Sequence, residues 1–128
     1  MGYYSYKNVS PEEKKLIKER RKKALNNIDL DKLVYDPDPG VRRIVASKGY
    51  GLDILVNDED EHVRLKVAYK GYGLDILVND KDKYVRWAVA DKGYGLDVLI
   101  NDRCEWVRMS VANHGYRLDI LINDESSR

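Results

Sequence analysis

The sequence predicts an all-α solenoid of stacked helix pairs, on three observations. A shift of 22 residues superimposes Gly-Leu-Asp-Ile-Leu-Val-Asn-Asp at 51–58 on 73–80 and, with small changes, on 95–102. Val-Arg recurs at 41/42, 63/64, 85/86 and 107/108, followed each time by Val-Ala at 45/46, 67/68, 89/90 and 111/112. The constant apolar positions fall at helical rather than alternating spacing. A short fixed period marks one supersecondary unit that buries its apolar face only by stacking on its neighbours. Leu30, Leu52, Leu74, Leu96 and Leu118 open five first halves, each followed by aspartate, and there are four second halves, so the chain holds about four and a half repeats.

The first element is an N-terminal cap over residues 1–28, a polar tail followed by a basic helix. Ser10-Pro11-Glu12-Glu13 is a capping box, serine at N-cap and glutamate at N3, opening a helix that runs to about Ile28. Leu16, Ile17, Ala24, Leu25 and Ile28 are expected to cover the first repeat, with the lysines and arginines left in water. Residues 29–128 form the repeat body, within a single domain overall. In each unit the first helix is short; Leu52, Leu55 and Val56 at i, i+3 and i+4 give it about two apolar turns. In the second helix Val63, Val67 and Ala68 form the buried stripe, with Asp60 as N-cap and Gly71 as an αL cap past the end. Asp38-Pro39 starts the first copy the same way, since proline at the first helical position loses no needed donor. Leu118 to Asn123 repeats the first helix alone at the far end.

The bulk numbers narrow the function classes. Across 128 residues, 23 Lys plus Arg balance 22 Asp plus Glu, which points neither to disorder nor to a simple polyelectrolyte partner. The distribution is uneven: residues 1–28 hold eight basic residues against three acidic, leaving fifteen against nineteen in the remainder. A single cysteine, Cys104, rules out an intramolecular disulfide and a thiolate metal cage, and fits a reducing compartment, by default the cytoplasm. No apolar run approaches a membrane span and no signal-peptide core opens the chain, so neither a membrane nor a secreted location is expected.

The run Leu33-Val34-Tyr35-Asp36-Pro37-Asp38-Pro39-Gly40-Val41-Arg42-Arg43-Ile44-Val45-Ala46, recurring in four copies over about residues 30–124, resembles HEAT-like repeats and, more closely, the leucine-rich repeat variant family. The resemblance implies a right-handed superhelix whose Val-Arg helices line the concave side and which acts by binding macromolecules. The 22-residue unit and the Gly-Tyr in place of the variant family's loop proline depart from that pattern, and the cysteine cluster that holds an iron–sulfur centre in some relatives is missing. The resemblance also implies that Asp36/Arg42, Asp58/Arg64, Asp80/Arg86 and Asp102/Arg108 form an inter-repeat ladder in which each arginine bridges acceptors of adjacent copies. Arginine's planar fork suits that work better than lysine.

Other constellations favour structural roles. Asn-Asp-x-Asp at 57–60 and 79–82 suggests calcium, but it lacks a ligand-dense loop with a closing glutamate, and Cys104 stands at its place in the fourth copy. Helix capping explains the aspartates instead. Tyr50, Tyr72, Tyr94 and Tyr116 follow the helix-ending glycines, where a side chain folds back on the last turn. His62 and His114 lie in different columns without a recurring carboxylate, so neither a metal site nor an acid–base dyad is expected. No catalytic residue, metal or cofactor is assigned.

The columns that differ between copies carry the functional expectation, because packing on identical neighbours fixes a residue whereas a unique partner demands diversity. They are Gly40/His62/Tyr84/Trp106, Arg43/Leu65/Trp87/Met109, Ile44/Lys66/Ala88/Ser110 and Ser47/Tyr69/Asp91/Asn113, at i, i+3, i+4 and i+7 on one stripe. A protein partner is expected there, contacted by Arg43, Leu65, Lys66, Tyr69, Tyr84, Trp87, Asp91, Trp106, Met109 and Asn113. The alternative is nucleic-acid binding, with Lys14, Lys15, Lys18, Arg21 and Lys22 along phosphates and the aromatics stacking bases. An enzyme akin to base-excision glycosylases would have only Asp91, four residues from Trp87, as its acid.

Overall fold

The structure is a computed structural model that describes residues 8–115. Nine helices and no strand lie among the described residues. A long helix α1 (Pro11–Leu25) is followed by alternating short and longer ones: α2 (Leu30–Leu33), α3 (Pro39–Ser47), α4 (Leu52–Leu55), α5 (Glu61–Tyr69), α6 (Leu74–Leu77), α7 (Lys83–Asp91), α8 (Leu96–Leu99) and α9 (Glu105–Asn113). The longer helices pack in chain order, α1 on α3, α3 on α5, α5 on α7 and α7 on α9, and each short helix packs on the longer helix that follows it. None is long and apolar enough to cross a membrane.

Local chemistry sets each boundary. Asp38, Asp60 and Asp82 are N-caps whose carboxylates accept from the first N–H groups of α3, α5 and α7. Ser10 does the same for Glu13 at α1. At the other end of α5, Gly71 donates to the Ala68 carbonyl (2.8 Å) and Tyr72 to the Val67 carbonyl (3.3 Å), the double bond of a Schellman motif with glycine at φ +77°. Gly73 then opens α6 at φ +65°, and a Cβ there would stand 2.5 Å from Val56 Cγ2. In the first unit Asn27 and Asp29 adopt the same left-handed backbone, where a short polar side chain tolerates it. Tyr116 and the half-repeat at 118–123 lie outside the described residues.

A continuous core runs through the units. Val41/Val45/Ala46, Val63/Val67/Ala68 and Val85/Val89/Ala90 are sealed between helices, with Leu33, Leu55, Leu77 and Leu99 contributed by the short ones.

Helix α1 differs from expectation. It ends at Leu25, and only Ile17 and Ala24 of its apolar residues are buried; Leu16, Leu25 and Ile28 are exposed. Nor are its arginines left in water: Arg20 donates to both carboxylate oxygens of Asp36 (2.6 and 3.4 Å) and Arg21 to both of Asp38 (2.9 and 3.3 Å). The reason is register. Arg20 and Ala24 stand 22 residues before Arg42 and Ala46, so α1 sets an arginine and a small buried residue towards α3 at the same spacing.

Candidate functional site

The longer helices present two faces of opposite character. On one, each arginine joins two units. Arg64 donates from Nε and Nη2 to the Asp80 carboxylate (2.8 and 3.1 Å) and from Nη1 to the Asp58 carbonyl (2.6 Å). Arg42 bonds Asp58 and the Asp36 carbonyl in the same way, and Arg86 bonds Asp102 and the Asp80 carbonyl. The preceding aspartate of each sequence pair thus offers its carbonyl, and the carboxylate partner comes from the following copy. Arg108 donates to the Asp102 carbonyl (2.6 Å); Asp124, sixteen residues on, lies outside the described residues.

The aspartates are also held by backbone donors. Asp58, Asp80 and Asp102 accept from the N–H of Asp60, Asp82 and Cys104 at 2.8–2.9 Å. Burial alone would raise the Asp102 pKa, but the Arg86 guanidinium and the Cys104 N–H outweigh it and hold the carboxyl below its ordinary value. Burial likewise opposes the charge on Arg42 and Arg64, yet Asp58 and Asp80 keep both guanidinium groups above their ordinary value. Asp58, Asp60, Asp80 and Asp82 thus all accept from internal donors, and no group of three His, Cys, Asp or Glu suited to a metal occurs among the described residues. His62 lies near Glu61, and a ring nitrogen of His114 lies 3.0 Å from the Asp91 carbonyl.

The other face holds the diverse columns, and the structure divides them. The outer two are exposed except at half-buried Gly40: Tyr84 is 59% and Trp106 64% accessible, and Tyr69, Asp91 and Asn113 also face solvent. Arg43, Leu65 and Trp87 are half-buried, the last two leaning on the core, while Met109 is 49% exposed. The third column departs from the expectation of an outward stripe. Lys66 is half-buried, but Ala88 and Ser110 are sealed, at 0% and 2%, because neighbouring long helices pack close enough to close over small side chains. Packing also bears on the first copy: a Cβ on Gly40 would stand 2.5 Å from Arg21 Nη2, so a larger residue there would displace the Arg21 guanidinium. The Nε of Arg43 is buried with no hydrogen-bond partner among the described residues.

Among the candidate phosphate contacts, Lys15, Lys18 and Lys22 are exposed and Lys14 is half-buried. Arg21 does not belong with them, since its guanidinium is committed to the buried Asp38.

Where α7 meets α9 the outward face sinks into a cleft of about 270 Å³ lined by Lys83, Tyr84, Trp87, Cys104 and Trp106. Both tryptophans of the chain are here. The Lys83 ammonium lies 5.4 Å from the Tyr84 ring centroid. Cys104 stands at the N-cap that Asp38, Asp60 and Asp82 fill in the other copies, and no side chain caps α9. Giving up an aspartate cap costs about 1 kcal/mol. In return the cleft is lined by a thiol in place of a carboxylate. Sequence comparison of the columns places the two tryptophans on one face, but it assigns neither Lys83 nor Cys104 to it; the missing aspartate was the available signal. Compared with protein-family models, curated proteins and solved structures, the chain matches none.

Proposed function

We propose that this chain is a non-catalytic protein-binding scaffold, a right-handed α-solenoid of the HEAT-like or leucine-rich-repeat-variant kind working in the cytoplasm. Its partner lies along the concave, variable face of α5, α7 and α9. One observation carries the reading: large side chains that packing does not require, Tyr69, Tyr84, Trp106 and Met109, stand exposed on the same stripe as Trp87. Tyr84, Trp87 and Trp106 share one cleft, and clustered exposed apolar surface marks interaction sites, with tryptophan and tyrosine dominating interface energetics. The order of helix packing and the recurrence of helix starts at 39, 61, 83 and 105 support the stacked architecture.

The test compares the wild-type chain with the Trp87→Ala/Trp106→Ala variant as immobilised bait in extract of the native host, followed by mass spectrometry. Proteins held by the wild type are expected to be lost from the variant while its circular dichroism stays helical. The same set on both baits would sink the reading. Exposed Lys15, Lys18 and Lys22 on α1 favour a second reading, nucleic-acid binding. It requires fluorescent DNA or RNA to bind at low salt and to dissociate as salt rises; absence of binding at low salt removes it.

A further inference from the structure

We infer that the cleft between α7 and α9 takes one bulky apolar side chain of a partner segment whose flanking residues are acidic. This rests on the protein-binding reading above and names the chemistry of what is bound.

Size argues for a single side chain. Pockets for drug-sized ligands span about 300–1,000 Å³, and the cleft is smaller, about 270 Å³. Its walls are the Tyr84, Trp87 and Trp106 rings and the Cys104 side chain. A polar group placed among them would lose water without gaining a partner, which selects an aliphatic or aromatic body.

The cleft is particular to this helix pair. At the matching positions between α5 and α7 stand Glu61, His62, Leu65, Asp82 and Tyr84. There the cap carboxylate remains, accepting from the N–H of Tyr84 and Val85, and no tryptophan is present. All five positions differ; histidine to tyrosine, leucine to tryptophan and tyrosine to tryptophan enlarge the aromatic surface, and aspartate to cysteine removes the carboxylate.

Charge argues for acidic flanks. Lys83 lies in the lining, and the turns that border the cleft add Lys81 and Arg103, both exposed. Their carboxylates are largely engaged: Asp82 caps α7, and Asp102 accepts from Arg86 and the Cys104 N–H. Glu105 is the exposed carboxylate that remains in those turns. Asp58 and Asp60 in the turn before α5 are engaged in the same way, but Glu59 and Glu61 stand there where Lys81 and Lys83 stand before α7, so an acidic segment is disfavoured at that unit and drawn to this one.

The chain's two tryptophans both line the cleft, so tryptophan emission, excited at a wavelength that tyrosine does not absorb, reports on this site. The full chain is titrated at low ionic strength with acetyl-Glu-Asp-Phe-Asp-Glu-amide, its alanine-centred analogue and its lysine-flanked analogue. The acidic phenylalanine peptide should shift the emission saturably, with both analogues weaker by about tenfold or more. Cys104→Asp should weaken it by about tenfold or more without lowering Tm, because a carboxylate returns to the wall while the helix regains its cap. Lys83→Glu should erase the preference over the lysine-flanked peptide. Equal or tighter binding of the lysine-flanked peptide overturns the acidic partner yet leaves the protein-binding reading to the bait comparison. Equal binding by the alanine-centred peptide, unchanged binding to Cys104→Asp, or no response to any peptide overturns the cleft as an anchor site.

Discussion

Arg86 and Trp87 are neighbours in the chain and live in opposite surroundings. Arg86 recurs as Arg42, Arg64 and Arg108, is buried, and has its donors fixed on the Asp102 carboxylate and the Asp80 carbonyl. Trp87 stands where Arg43, Leu65 and Met109 stand in other copies, leaning on the core with one edge in the cleft. A side chain wedged between two equivalent units meets equivalent surroundings each time, so one residue type serves every copy. A side chain on the outward stripe has no such template. Ala88 and Ser110 show the limit of that rule, because a column can vary and still be sealed.

The largest expected effect that would break this comparison is on the constant side. Arg64→Ala leaves the Asp80 carboxylate without its guanidinium partner and should destabilise by about 3 kcal/mol in denaturant unfolding, as for other broken buried pairs. A loss no greater than that of an exposed residue would mean that the arginines do not hold the units together. Next comes the glycine pair. Gly73→Ala meets both the positive φ and Val56 Cγ2, and should cost about 2 kcal/mol or more, whereas Gly71→Ala meets open space and should cost about 1 kcal/mol from backbone strain alone. Equal midpoint shifts would show that the close approach relaxes freely.

Acid should erode the constant edge. The Asp102 carboxyl is held below its ordinary value in the folded chain, so its contribution is present above the unfolded value of about 3.9 and is lost as pH falls through the folded one. Thermal unfolding of the wild type should therefore weaken below about pH 4, and Asp102→Asn should be flatter over the same window. Parallel profiles would deny the carboxylate this role. On the variable side, Cys104→Asp should raise stability by about 1 kcal/mol, since α9 regains the cap that α5 and α7 possess. Any loss would mean that the thiol contributes more by packing than a cap would. Trp106→Ala is expected to stay within about 0.5 kcal/mol of the wild type, as an exposed position should; a large drop would make the residue part of the core.

The sequence by itself determined the helix order, the caps at Asp38, Asp60 and Asp82, the glycine-ended turns and the buried Val-Val-Ala stripe. All of these follow from spacing and local hydrogen bonding, which lie within a few residues along the chain. It also placed Tyr84, Trp87 and Trp106 on one stripe. Tertiary structure alone decided which member of a column is sealed, that Asp58 gives its carboxylate to Arg42 and its carbonyl to Arg64, and that Arg20 and Arg21 of α1 join the same edge. It likewise decided that Lys83 and Cys104 share a cleft with the tryptophans. Those outcomes depend on the distance and rotation between successive helices, which a repeat period fixes only as a recurrence.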